Sequence, residues 1–220
     1  MNIITERSIH RILLDNLIRC YADLAVGRVL DIGSKNRRYD ACLKNASSIV
    51  AIDIYPERND VIKADGRFLP FKNSSFDAIV SFEVLEYIPE TAVVINEVFR
   101  VLKPGGKLLF SIPFHNPVHG EAVNDVNMQF SSKGTDFVRY TAKGLHHLLN
   151  GKLEILEIIS IGGRWGIISD FAFERFRKIK YLRILIAPIY FLSYLTSSLF
   201  DRIEKNRRFV MGYFVICKKR

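Results

Sequence analysis

Four apolar runs in the first half of the chain end on residues able to hold a polar ligand. "VLDIG" ends on Asp31 and Gly33, and "AIDIYP" carries Asp53, twenty-two positions after Asp31. "VIKADG" ends on Asp65 and Gly66, and "FDAIVSFEVL" carries Ser81, Phe82 and Glu83. An ionised carboxylate only accepts hydrogen bonds, so an acid at a strand end suits the donating groups of a ligand, a ribose diol above all. One such acid would as readily cap a helix. Acids after three successive strands point to one convergent site. A second polar cluster holds His115, His119 and Glu121 in "PFHNPVHGE", followed by Asp136, Arg139 and Tyr140 in "TDFVRYT". An imidazole there suits proton transfer. The cluster offers no clear third ligand for zinc, and no metal site is expected.

These residues need a frame. Helical spacing in "MNIITERSIHRILLDNLIRCY" gives an N-terminal helix, and its interrupting charges argue against an export signal. "RVLDIG" reads as a strand, "YDACLKN" as a short helix, and "SIVAIDIYP" as a second strand. A short third strand, a fourth at "FDAIVSFEVL", a helix over "ETAVVINEVFRVL" stopped by "KPGG", and a fifth strand at "KLLFSIPF" follow. After a long polar loop from His115 to Arg139 come a helix at "TAKGLHHLLN", a strand at "KLEILEIISIGG" and a last strand at "RFVMGYFVICKK". Strands separated by helices imply parallel crossovers, hence an α/β fold with a doubly wound, mostly parallel sheet. In such sheets ligands sit at the carboxyl ends of the strands, where the chemistry-bearing residues fall.

The chain has 220 residues, 49% of them hydrophobic, enough for one α/β domain with a modest extension. Three cysteines, Cys20, Cys42 and Cys217, share no ligand spacing and fit a reducing, cytoplasmic compartment as buried thiols. The net charge of +9 is uneven: from Phe171 to Arg220 twelve Lys or Arg face three acids, while the preceding residues balance. Within that region "ILIAPIYFLSYLTSSLF", Ile184 to Phe200, is uncharged for seventeen residues. A spanning helix needs about 20 predominantly apolar residues, and Pro188 with several hydroxyls weakens this run further. Basic flanks around an apolar segment fit an interfacial one, placing residues 171–207 on the inner membrane surface as a peripheral contact. A helical pair packed on the sheet or on a second subunit, as in a homodimer, is the competing reading. The expected division is residues 1–162 with 208–220 as the α/β domain, and 163–207 as a basic, apolar helical insert.

The stretches "VLDIG", "AIDIYP", "ADGRFLPFKNSSFDAIVSFEVLEYIPE" and "INEVFRVLKPGGKLLFSIPF" together resemble the class I S-adenosylmethionine-dependent methyltransferases, in their small-molecule group. The resemblance covers roughly residues 26–162, and "MGYFVICKK" is similar to the family's antiparallel seventh strand. It implies a Rossmann-like, seven-stranded sheet and S-adenosyl-L-methionine as cofactor. Asp31 and Gly33, with Ser34 and Lys35, would shape the methionine end; Asp53 would hold the ribose and Ile54 pack near the adenine. Asp65 would accept from the adenine amino group, with the Gly66 and Arg67 backbone facing the ring, and Ser81 and Phe82 would line the cofactor beside the methyl. Ile54, Phe68 and Phe82 would equally serve as core.

The loop "GSKNRRYD" departs from the family's glycine-rich pattern. S-adenosylmethionine has no phosphate needing close backbone approach, and Lys35 or Arg37 is placed to pair with its carboxylate. Methyl transfer needs alignment and dryness more than covalent help, plus a base for an oxygen nucleophile. His119 is the expected base and Arg139 a substrate or loop anchor, unless the histidines only tie the loop. The acceptor is expected to be a small or lipid-linked molecule methylated on O or N. No NPPY-like motif follows the fourth strand, which argues against nucleic acid. A non-catalytic binding protein with a degenerate cofactor loop is the alternative.

Overall fold

The computed structural model describes residues 8–116, 136–177, 180–203 and 208–220. Its described residues build a seven-stranded sheet in the order β3-β2-β1-β4-β5-β7-β6. The strands are β1 (Gly27–Ile32), β2 (Ala46–Asp53), β3 (Ile62–Lys63), β4 (Phe76–Phe82), β5 (Leu102–Pro113), β6 (Leu153–Ile161) and β7 (Gly212–Lys219). β1, β2, β3, β4 and β5 pair in parallel, whereas β7 runs antiparallel to both β5 and β6. Strand order reverses between β1 and β4, so a crevice opens there at the carboxyl ends. β4 apart from Asp77, and β1 from Val29 to Ile32, are buried, as sheet strands covered on both faces must be.

Helices α1 (Ile9–Tyr21), α2 (Thr91–Val101), α3 (Ala142–Leu149), α4 (Arg164–Arg177) and α5 (Lys180–Ile203) complete the frame. Alternate strand residues divide between two cores. Ile79, Leu108 and Phe110 pack with Val94, Ile95 and Val98 of α2 and Leu145 and Leu149 of α3. Val29, Val80 and Phe214 pack on the other face with Leu14 and Ile18 of α1. The period of 2 in the strands and the 3.6-residue repeat of the helices therefore select the same buried residues.

Two local expectations fail. "YDACLKN" makes only a 3₁₀ turn, Asp40–Cys42, because Arg37 just before it is left-handed (φ 60) and β2 begins at Ala46. Of the three thiols, only Cys217 is buried. Cys20 is exposed because it lies two positions past Ile18, on the outward side of α1, and Cys42 is half-buried.

Candidate active site

The loop after β1 sets the first wall of the crevice. Gly33 has φ +76, and a Cβ built on it would lie 2.2 Å from the Val84 Cγ2, so both conformation and space demand glycine. Lys35 (φ 50) and Arg37 (φ 60) adopt the same left-handed region at the next two alternate positions. The loop thus keeps a glycine-like backbone path without the glycines, at about 1–2 kcal/mol per residue. It is held over β2: the amides of Gly33 and Ser34 donate to the Ile52 carbonyl at 2.9 and 3.0 Å. Lys35 N donates to Asp53 Oδ2 at 2.9 Å, and Tyr55 N to Asp53 Oδ1 at 2.7 Å. Asp53 therefore fixes the loop while each oxygen retains a lone pair for a further donor.

The cations of this loop are turned to protein partners. Lys35 Nζ lies 2.9 Å from Glu57 Oε1 in an exposed pair. Arg37 Nε donates to Asp40 at 2.6 Å and its Nη1 to the Asp60 carbonyl at 3.2 Å. Asp31 sits beneath, 4% exposed. Burial pushes its carboxyl up to about 7, against the nearby Ser34 hydroxyl, with Asp40 and Asp53 adding repulsion. A carboxylate so placed gains from a cationic ligand group beside it.

The second wall is apolar and open. Ile54, Tyr55 and Phe68 are exposed, Phe68 by 72%. Ile54 and Phe68 are thus not core residues, whereas Phe82 is, at 8% exposure, edge-on to Tyr39 at 5.3 Å. Gly66 is buried, and a Cβ on it would make ordinary contact with Ile32 and Val94 at 3.4–3.9 Å. Asp65 is engaged by Arg67, whose Nη2 donates to Oδ2 at 2.7 Å and whose amide donates to Oδ1 at 2.8 Å. That hydrogen bonding holds Asp65 below the usual carboxylate range. Arg67 reaches on to Glu90 at 2.9 Å.

At the top of β4 the structure gathers Ser81 and Glu83, both singled out in the sequence, with His10 and Glu86, to which sequence reasoning gave no role. Glu83 is left-handed (φ 57), and the Ser111 hydroxyl donates to its Oε1 at 2.9 Å. His10 of α1 brings Nδ1 to 3.8 Å from Glu83 Oε2 and shares a 2.8 Å hydrogen bond with Asn116 Nδ2. Glu86 is fully buried, and neither carboxyl oxygen has a hydrogen-bond partner among the described residues. Burial first, then Glu83 and Asp136, raise its carboxyl well above the ordinary range. The Ser81 hydroxyl is likewise buried without a partner. Glu83 and Glu86 stand three apart in "SFEVLEYIPE", a spacing that signals a shared turn. His10 carried no such signal, because α1 reaches the site only through tertiary packing.

Arg139 pairs with Asp136 and donates to the Phe114 carbonyl at 2.6 Å, which ties the residues before α3 to the end of β5. His115 Nδ1 lies 2.8 Å from the Val210 carbonyl. His119 and Glu121 fall outside the described residues. Over the crevice α1 closes a polar strap: Arg11 Nη1 donates to the Tyr39 hydroxyl at 3.1 Å, and that hydroxyl donates to Asp15 at 3.1 Å.

Known proteins match this arrangement at several levels. The sequence profile of a methyltransferase domain family matches residues 30–110. A ubiquinone biosynthesis O-methyltransferase of Xanthomonas oryzae is 28% identical over 142 residues, 57% of this chain and 56% of that protein. A ubiquinone/menaquinone biosynthesis C-methyltransferase of Wigglesworthia glossinidia brevipalpis is 28% identical over 138 residues, 54% and 55% of the two chains. This chain spans little more than half the length of these relatives. Among solved structures, the [4+2]-cyclase SpnF superposes with a TM-score of 0.59 at 21% identity, covering 96% of this chain and 80% of its own. A Haemonchus contortus phosphoethanolamine N-methyltransferase in complex with S-adenosyl-L-methionine gives 0.58 at 16% identity, covering 93% and 52%. A cyclase beside a methyltransferase at that distance attests the fold alone. The domain profile over residues 30–110 and the strand order agree, and together they support a class I S-adenosylmethionine-dependent methyltransferase.

Proposed function

We propose that the protein transfers the methyl group of S-adenosyl-L-methionine to an oxygen or nitrogen of a small or lipid-linked acceptor. The observation that carries this reading is the left-handed loop Gly33, Lys35, Arg37 clasped by Asp53 above the buried Asp31. Asp31 suits the cofactor's ammonium, Asp53 its ribose hydroxyls, and Ile54 with the Gly66 backbone its adenine. The bound cofactor supplies an activated sulfonium methyl. The chain's own residues align the acceptor, exclude water and manage the acceptor's proton. Glu83, held by Ser111 one residue past Phe82, is the carboxylate within the described residues best placed to take that proton. His119 remains a second candidate base, and Arg139 anchors the loop that carries it.

Isothermal titration of the full chain with S-adenosylmethionine tests the reading: saturable heat that Asp53→Ala reduces tenfold or more supports it. One observation favours the alternative, a methyltransferase-like protein without catalysis. The Asp65 carboxylate is already taken by Arg67, which leaves less of it for an adenine amino group. Under that alternative the titration gives no heat, and the cofactor does not raise the thermal midpoint.

A further inference from the structure

Helices α4 and α5 have two unlike faces. The inner one is specified by polar caps. Asp170 of α4, 5% exposed, accepts from the amides of Ile9 and His10 at 2.7 and 3.1 Å and from the Tyr190 hydroxyl at 2.8 Å. Asp201 of α5 accepts from Trp165 N and Gly166 N at 3.0 and 3.2 Å, capping the start of α4. Ile9, Tyr190 and Met211 bury together behind them. The orientation of the two helices on α1 and Met211 is therefore fixed by the protein itself.

Their outer face has no such cover. Trp165, Ile168 and Phe171 on α4, and Ile189, Leu192, Leu195 and Leu199 on α5, recur at three- and four-residue steps and are 42–61% exposed. Trp165 meets Phe200 at 5.5 Å, joining the two rows into one apolar surface. A contiguous apolar surface of this kind marks an interaction site. No helix among the described residues is long and apolar enough to cross a membrane. Between Phe171 and Arg208 the sequence carries nine Lys or Arg against three acids. A second copy of the chain would bring that excess against itself, whereas anionic head groups complement it.

We propose that the outer face of α4 and α5 docks on the surface of an anionic phospholipid bilayer, with its apolar rows in the head-group and acyl boundary. The inference goes beyond methyl transfer and does not depend on it.

Trp165 is the chain's only tryptophan and sits in the proposed contact, so its emission reports docking directly. The full chain is mixed with vesicles of phosphatidylcholine alone, or of equal parts phosphatidylcholine and phosphatidylglycerol, and followed by flotation and fluorescence. The expected result is flotation with the anionic vesicles only, a shift of emission to shorter wavelength, and loss of both at high salt. Ile168→Asp and Leu192→Asp should each weaken the association about tenfold or more, with the thermal midpoint unchanged because both side chains are exposed. Equal binding to neutral vesicles, no flotation with either, or an emission shift that follows protein concentration without lipid would each overturn the proposal, the last in favour of a second copy.

Discussion

Left-handed side-chain-bearing residues where glycine would be easier are the most telling feature at the residue scale. Replacing Lys35 and Arg37 by glycine removes about 1–2 kcal/mol of strain at each site and adds about 0.5–1 kcal/mol of unfolded-state entropy. The denaturant midpoint should therefore stay level or rise slightly for Lys35→Gly, and fall for Arg37→Gly, which also loses the hydrogen bonds to Asp40 and the Asp60 carbonyl. If the backbone path alone makes the loop, cofactor affinity changes by no more than about threefold, since an exposed pair such as Lys35 with Glu57 is worth little. A tenfold drop would instead place a cation on the cofactor carboxylate. Gly33→Ala behaves oppositely, because its Cβ would strike Val84 in a backbone region hostile to it; a loss of about 2–4 kcal/mol in urea unfolding is expected. Asp31 makes a pH prediction. Its carboxyl titrates near 7 in the folded protein and near its ordinary 3.8 when unfolded. The native state thus holds a proton that the unfolded state releases between these values, and stability falls as pH rises from about 4 to about 7. Asp31→Asn should be more stable than the parent at pH 8, by on the order of 2–4 kcal/mol, with the gap closing toward pH 4. The acids of this site were legible in the sequence as strand-end residues. The internal partners of Asp65, Lys35 and Arg37 were not, since nothing in their spacing tells an arginine that faces a ligand from one that folds back on its neighbour.

At the scale of elements, a helix cap connects distant parts of the chain. Asp170 satisfies two backbone donors at the start of α1 and one phenol, all buried. Asp170→Ala leaves those donors unpaired and should cost about 2–4 kcal/mol in chemical denaturation. Asp201→Ala, at the more exposed start of α4, should cost about 1 kcal/mol. Sequence periodicity found α1 and a helical stretch over 163–207, but a contact some 160 residues apart has no local signature. It could not say that one face of that stretch holds α1 in place while the other stays open. The same gap explains His10, a residue with no motif around it that reaches Glu83 only once α1 is docked.

The whole molecule is closed by its last strand. β7 lies between β5 and β6, and Phe214, Val215, Ile216 and Cys217 are buried to 2% exposure or less across both faces. Parallel strands β1 to β5 were readable from apolar runs broken by helices, but nothing in "MGYFVICKK" itself states that it runs backwards into the sheet; the family resemblance supplied that. The position has a folding consequence. Until β7 is in place β6 has no partner, and both cores lack wall residues, because Val215 and Cys217 face one and Phe214 and Ile216 the other. Lys219 adds a tie, its ammonium donating to the Leu102 carbonyl at 2.7 Å, just past the end of α2. A chain ending at Arg208 should therefore keep helical far-ultraviolet signal yet lose near-ultraviolet ellipticity and cooperative melting, the signature of a collapsed state without fixed packing. Deleting Arg220 alone, whose side chain is 81% exposed beside Glu154, should shift stability by less than about 0.5 kcal/mol. A cooperative melt in the shorter chain would mean that β1 to β5 form an independent folding unit and that β7 only adds to it.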